Sequence, residues 1–334
     1  MLEKIFISLA CYRDPEIIPT VQDAYNKAKN KHLLIFGIYA QMGEEDEKID
    51  LSFIENQEQV RLLVKDNTKA RGPSYARYII YNKLYKDELY YLQIDSHTRF
   101  IENWDIELIT MLSKLSANSV ISTYPKGYQL NNEKIILTNE KMTVLKFKKL
   151  RDGIPIFNTT TIIQEDKPKR NYFWAAGYSF CYGAIFKIIP FDPHLKNLFW
   201  GEEFLMSLRF FTNNVKIYSP NRHILFTLWS RNYRHTFWEL KEKMNGKFET
   251  YGFLSFLRLC KICNFYPNDS NDSNDSNFFS IFSKKFKKDI EKYGIGNKKT
   301  ANEFYKRIGI KEIIEKEDYK KIMLRLYFSL KINL

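Results

Sequence analysis

The side chains best suited to chemistry in this sequence are Asp95 and His97, which follow the mainly apolar run YYLQI. In an extended strand, residues two apart point to the same side, so this carboxylate and imidazole would face one ligand together. One oxygen and one nitrogen donor suit Mn²⁺ or a similar first-row ion better than Ca²⁺, and Mg²⁺ is also compatible. The alternative is structural, because an Asp followed by Ser at a strand end commonly caps the next element. Spacing alone leaves both interpretations open.

Two arginines lie upstream, around a Gly-Pro turn. The planar guanidinium groups of Arg71 and Arg77 could each bind phosphate oxygens in pairs. The alternative is that both are solvated charges of a helix.

Two further charged groups lie later in the chain. Glu202 and Glu203 follow Gly201 at a predicted helix start, where acids also complement the helix dipole. Arg231 and Arg234 are candidate phosphate contacts, and a solvated basic rim is the alternative.

These residues need a scaffold, and the first half of the chain predicts one by alternating apolar runs with helical patterns. The runs are predicted strands at 4–10, 32–40, 60–66 and 89–95, and the helical patterns cover 15–30 and 72–86. This βα alternation predicts an α/β fold with a mainly parallel sheet, flanked by helices, that binds ligands at the carboxyl ends of its strands. Asp95 would lie at such an end.

The remaining elements complete one large domain, predicted to span 1–265. They comprise a helix from Trp104, a helix at 198–214 and strands at 119–125, 215–220 and 224–230. Residues 126–170, rich in Lys, Asn and Thr, are predicted to be an irregular excursion over the sheet.

The C-terminal part has a different composition. The repeat NDSNDSNDSN predicts a disordered linker at 266–277, followed by a helical segment at 278–334. Within 278–292, apolar residues recur every four positions beside lysines, namely Phe278, Phe282, Phe286 and Ile290. This face could touch an anionic membrane, and packing on the main domain is the alternative.

Composition narrows the function further. The chain has 334 residues, 44% of them hydrophobic, and a net charge of +13, which indicates an anionic partner. The basic residues are scattered without an interleaved aromatic stripe, which argues against nucleic acid as the partner.

We find no signal core or long apolar run and therefore predict a cytoplasmic protein. The apolar context of Cys260 and Cys263 favours packing over a redox or metal pair.

Several longer stretches resemble nucleotide-sugar glycosyltransferases of the GT-A fold. They are IFISLACYRDP, the stretch from ARGPSYARY to DSHTRFIENWD, FWGEEFLMSLRFFTNNVKIYSP, LWSRNYRHTFW and YGIGNKKTANEFYKRIGI. More narrowly, they resemble the UDP-GlcNAc:polypeptide α-N-acetylglucosaminyltransferases typified by the Skp1-hydroxyproline enzyme, and more distantly the polypeptide GalNAc-transferases. The resemblance implies Mn²⁺ or Mg²⁺, a UDP-GlcNAc donor, retention of anomeric configuration, and a hydroxyl acceptor on a protein Ser, Thr or hydroxyproline.

The resemblance also implies roles for the residues named above. Asp95 and His97 would hold the metal, and Glu202 and Glu203 would face the sugar and acceptor. The donor would contact Asp95 and six further residues: Arg13, Asp14, Arg71, Arg77, Arg231 and Arg234. For Asp14, which precedes Pro15, an ordinary helix start is the alternative.

The third metal ligand is where this chain departs from the resembled family. Aligning the segment LWSR puts Thr227 where the family usually has His, so His223 or His235 are the candidates for that role.

Two other functions stay open on the sequence. The chain could transfer another UDP-hexose to a glycan or lipid-linked acceptor, or it could bind a sugar nucleotide without turnover.

Overall fold

The computed structural model describes residues 3–131, 134–137, 141–162, 166–244, 246–265 and 287–329. Its strands are, in chain order, β1 (Ile5–Tyr12), β2 (Leu34–Met42), β3 (Val60–Asp66), β4 (Tyr90–Asp95), β5 (Thr98–Phe100), β6 (Ser119–Ser122), β7 (Lys126–Asn131), β8 (Lys134–Leu137), β9 (Thr143–Arg151), β10 (Ile154–Thr161), β11 (Lys169–Asn171), β12 (Tyr178–Tyr182), β13 (Lys216–Ser219) and β14 (Leu225–Thr227).

The helices are α1 (Ile17–Lys27), α2 (Pro73–Lys83), α3 (Trp104–Ser113), α4 (Ile185–Ile188), α5 (Glu202–Thr212), α6 (Leu240–Lys243), α7 (Lys247–Ile262), α8 (Ile290–Tyr293), α9 (Ala301–Arg307), α10 (Lys311–Glu315) and α11 (Tyr319–Ser329).

The central sheet has eight strands in the order β11-β13-β6-β12-β4-β1-β2-β3. The four strands β3, β2, β1 and β4 are parallel neighbours. Strands β1 and β4 are almost entirely buried, as expected for a parallel sheet covered on both faces. The apolar faces of α1 and α3 pack on one side, and α2 and α4 pack on the other. The predicted α/β class with a mainly parallel sheet is therefore confirmed.

One central strand was not predicted. β12 lies between β4 and β6 and runs antiparallel to both. Its sequence YSFCY is short and lies among Gly and Ala residues that obscure its boundaries. The strand brings Gly177, just before its start, next to the end of β4.

The irregular excursion predicted at 126–170 is wrong, because this part of the chain contains strands β7 to β11. β9 and β10 form an antiparallel hairpin that turns at Asp152 and Gly153, both with positive φ. An Asp-Gly pair between two alternating segments is a strong hairpin signal. The polar composition of this stretch obscured the apolar face of the hairpin, where Leu145 and Phe157 pack in a hydrophobic core.

The C-terminal segment shares a core with the main domain. Apolar residues of α9, α10 and α11 pack in one cluster with α5, α7 and β10. Ile290 also packs against this cluster, and Cys260 and Cys263 are buried within it. The predicted linker at 266–277 and the phenylalanines 278, 282 and 286 lie outside the described residues. For residues 287–329, packing on the main domain is the arrangement observed.

No helix within the described ranges has the length and apolar content needed to cross a bilayer.

Candidate active site

A cavity of about 410 Å³ opens at the carboxyl ends of β1 and β4. The end of β1, the start of α2, the start of α5 and the segment 229–238 all contribute to its wall. The cavity therefore lies where the strand pattern predicts a ligand. The sequence analysis proposed twelve site residues, and seven of them line this cavity.

Asp95 ends β4 and points into the cavity, with 39% of its side chain exposed. The neighbouring residue is Gly177, just before β12, where a Cβ atom would lie only 2.6 Å from Asp95 Oδ2. The absence of a side chain at Gly177 therefore leaves room for the Asp95 carboxylate. A close approach of this kind could not be deduced from the sequence without the unpredicted strand β12.

His97 also lines the cavity, and its ring is held from behind by Asp14. The Nδ1 atom of His97 lies 2.8 Å from Asp14 Oδ2, as donor to that carboxylate. This contact leaves Nε2 as the nitrogen available to a ligand. A carboxylate behind a metal-binding histidine fixes the tautomer and the orientation of the ring.

Asp14 is completely buried and does not reach the cavity wall. Its carboxylate also accepts hydrogen bonds from Ser96 Oγ at 2.7 Å and Tyr233 Oη at 3.2 Å, and Arg234 Nε lies 3.3 Å away. Burial alone would raise the pKa of Asp14, but its bonds and charge interactions with His97, Arg234 and Ser96 hold the pKa below its usual value. A charged Asp14 therefore stands behind His97, rather than at the donor surface predicted from the sequence.

Arg77 connects two acidic residues of the site. Its buried guanidinium forms an ion pair with Glu202 and lies 3.7 Å from Asp95 Oδ1. Glu202 Oε1 is buried and makes no hydrogen bond. Arg77 thus balances the two carboxylates and leaves one oxygen of Glu202 without a donor.

Glu203 lines the same cavity and is bonded to the protein on both oxygens. It accepts hydrogen bonds from Tyr124 Oη and from the Ala176 amide at 2.9 Å. Burial is the main cause that raises its pKa to about 7, and the neighbouring charge of Glu202 adds to this effect. Tyr124 is a site residue that sequence reasoning missed, since nothing in its local pattern marks it.

Arg231 and Arg234 also line the cavity, on the segment that follows β14. Arg231 stacks near the ring of Phe199, at 5.5 Å from the guanidinium carbon to the ring centre. Three exposed tryptophans complete this wall: Trp200, Trp229 and Trp238. The sequence offered a signal for them, because aromatic residues are dense in the stretches that carry the resemblance.

Arg13 and Arg71 do not line the cavity. Arg13 is paired with Asp46 and Glu45 of the segment after β2. Arg71 donates to the carbonyl of Ala70 at 2.6 Å and stacks near Tyr251. Two of the five arginines predicted to bind the donor, Arg13 and Arg71, therefore contact other parts of the protein.

Neither His223 nor His235, the candidates for a third metal ligand, lines the cavity, and Thr227 does not line it either. Thr227 is buried beside β5, with its hydroxyl 3.5 Å from the carbonyl of His97. His235 is paired with Glu239, and His223 lies near the ring of Phe226. Among the described residues, no group of three carboxylates, imidazoles or thiolates could hold a metal ion.

The donor set that remains is one carboxylate and one imidazole, with a carboxylate behind the imidazole. This combination fits a divalent first-row ion that takes its other ligands from a substrate and from water. Asp95 and His97 would be the residues that hold it.

The fold resembles that of a known transferase. The structure matches "Crystal structure of GalNAc-T7 with UDP, GalNAc and Mn2+" at a TM-score of 0.60 and 13% identity, over 99% of this chain and 57% of the other. At this identity the likeness concerns the fold. The likeness shows a fold of the GT-A type, with the charged cavity at its strand ends.

The family follows from the sequence itself. Residues 4–55 and 45–314 match the family model described as Glycosyltransferase (GlcNAc), and the chain belongs to that family. A comparison with curated proteins found no match. The narrower resemblance to hydroxyproline-modifying enzymes stays a prediction.

Proposed function

We propose that this glycosyltransferase transfers N-acetylglucosamine from UDP-GlcNAc to a hydroxyl group, with Mn²⁺ or Mg²⁺ held by Asp95 and His97. The observation that carries the proposal is the pair of His97 and buried Asp14 beside the exposed carboxylate of Asp95. The family description supports the sugar, and the fold neighbour solved with UDP and Mn²⁺ supports the kind of donor and ion. When bound, the ion would neutralise charge on the departing diphosphate.

Other residues of the cavity would bind the donor or position the metal ligands. Arg231 and Arg234 are the cavity arginines that could bind diphosphate oxygens. Arg77 would position Asp95 and Glu202, and Asp14 would position His97. The free oxygen of Glu202 could accept a hydrogen bond from a sugar hydroxyl.

The reaction we propose keeps the anomeric configuration. A bond forms between the acceptor oxygen and the anomeric carbon as the bond from that carbon to phosphate breaks, and the hydroxyl proton passes to the departing phosphate. Glu203 is bonded on both oxygens and has a pKa near 7, so it is suited to positioning rather than to nucleophilic attack.

An extended acceptor is supported by a second groove of about 920 Å³. It shares Tyr124, Pro125 and Trp229 with the donor cavity. A single sugar would leave most of this groove empty. We propose a polypeptide carrying Ser, Thr or hydroxyproline as the acceptor, because an extended chain would fill this groove and the sequence resembles polypeptide-modifying enzymes. We propose the cytosol as the compartment.

The test is a screen of UDP-sugars for UDP release, with and without Mn²⁺, in the wild type, Asp95→Asn and Asp66→Asn. Asp66 is the matched control because it also ends a parallel strand but lies outside the cavity. We expect UDP-GlcNAc to be preferred, and we expect Asp95→Asn to lower metal-dependent release by about 100-fold or more. Asp66→Asn should retain wild-type release.

Two results would contradict the proposal. Saturable binding of UDP-GlcNAc without UDP release would indicate a binding module. Preference for another UDP-hexose would overturn the donor assignment and leave the glycosyltransferase class intact.

A further inference from the structure

A separate groove of about 740 Å³ lies between the edge strand β3 and helix α2, and we refer to it as the β3 groove. Its floor is apolar and includes Leu63, Ile79 and Leu84. Tyr75, Ile79 and Lys83 of α2 stand four residues apart, so they lie along one side of the groove. These helix residues span about 12 Å, which is the length of about four residues of an extended strand.

The outer edge of β3 carries no partner strand in the described part of the chain, because β3 pairs with β2 and ends the sheet order. The strand is seven residues long, and Val64 is 51% exposed. An exposed edge of this length presents backbone donors and acceptors that another extended chain can use.

The rim of the groove is uniformly basic. Five cationic side chains line it: Lys65, Lys69, Arg71, Lys83 and Lys196. Among the residues that the structure describes, no carboxylate lines the groove. Two of these are oriented by aromatic rings, since Lys196 lies 5.7 Å from the ring centre of Tyr75 and Arg71 lies 5.6 Å from that of Tyr251. Charge complementarity therefore selects an acidic occupant.

We propose that the β3 groove binds an extended acidic peptide segment of a partner protein, which adds a strand to β3. In such a strand, alternate side chains would face the apolar floor and the remaining ones would reach the basic rim. A nucleic acid or an anionic lipid could use the rim, but neither would use the backbone edge. This site is independent of the donor cavity and of the reaction proposed there.

The probe is a fluorescein-labelled peptide with the length of the seven-residue strand β3, in which Glu alternates with Val or Ile. We would measure its affinity by anisotropy for the wild type and for the double variant Lys65→Glu, Lys83→Glu. The control is Lys114→Glu, Lys216→Glu, which changes net charge equally at exposed lysines outside the groove. The groove variant should lose about tenfold or more in affinity, and the control should lose less than about threefold.

Strand addition has its own readout, because backbone hydrogen bonds slow amide exchange. Bound peptide should slow hydrogen exchange in β3, and unchanged exchange there would overturn the pairing. Equal losses of affinity in the two double variants, or no loss in either, would overturn the proposal that the peptide binds in the β3 groove. An oligonucleotide that binds as tightly and with the same sensitivity to Lys65 and Lys83 would overturn the peptide assignment. UDP release should be unchanged in both variants, since these lysines do not line the donor cavity.

Discussion

At the scale of single residues, the side chains that face the cavity depend on others that do not. His97 presents Nε2 because its other nitrogen is held by the buried carboxylate of Asp14. Asp14 was predicted from the sequence as a residue that contacts the donor. Burial decides its role, because a fully enclosed carboxylate can act only through its neighbours.

The role of Asp14 can be tested by removing its charge. In Asp14→Asn we expect the affinity for Mn²⁺, measured with UDP present by the spin-resonance signal of free Mn²⁺, to fall about 10- to 100-fold. The physical reason is that the uncharged amide leaves the imidazole less basic and less firmly oriented.

Asp105→Asn is the matched control for this measurement. Asp105 is also buried and accepts hydrogen bonds from the amides of Lys29 and Asn30, away from the cavity. Equal Mn²⁺ affinities in Asp14→Asn and the wild type would rule out the positioning role.

At the scale of elements, the site depends on strand β12, which the sequence did not predict. β12 enters the sheet beside β4 and brings Gly177 against the carboxylate of Asp95. Ala176, two residues before β12, also donates a hydrogen bond from its amide to Glu203 on α5. One antiparallel strand thus connects the end of β4 with the start of α5.

Gly177→Ala tests this arrangement. Gly177 does not have a positive φ, so alanine can adopt its backbone conformation. The added methyl group would lie 2.6 Å from Asp95 Oδ2, so the carboxylate must turn away. We expect UDP release to fall about 10- to 100-fold, while the urea midpoint of unfolding stays near that of the wild type.

Gly252→Ala provides the comparison, because its nearest atom would be 3.5 Å away and the residue lies within α7. This variant should retain wild-type release. Full release in Gly177→Ala would show that the position of the Asp95 carboxylate does not matter.

At the scale of the whole molecule, the C-terminal helices belong to the same core that supports α5. Phe304 of α9 is fully buried, with its ring centre 5.2 Å from that of Phe211 and 5.9 Å from that of Phe204. Since α5 begins with Glu202 and Glu203, this core also supports one wall of the cavity.

Phe304→Ala should lower the free energy of unfolding by about 3–5 kcal/mol, because it opens a void in this shared core. Phe328→Ala is the control, since Phe328 is 72% exposed and should change the value by less than about 0.5 kcal/mol. Urea denaturation followed by circular dichroism measures both. Similar values for the two variants would mean that Phe304 does not stabilise a core shared with α5.

Local pattern determined much of the molecule from the sequence alone. β3 was predicted with the bounds observed, Val60–Asp66, and α3 was predicted to begin near Trp104, which is its first residue. These elements have continuous or periodic apolar residues, and such patterns act over a few positions. The charged residues of the cavity were also recognisable, because Asp95, Glu202 and Arg231 occur in distinctive stretches.

The tertiary structure decided how those residues combine. Asp14 and His97 are far apart in the chain, and only folding reveals that one lies behind the other. The same holds for Arg77 and Glu202, and for Glu203 and Tyr124. The physical reason is that burial and hydrogen-bond geometry arise from contacts between distant segments, whereas the sequence pattern reports only on neighbours along the chain.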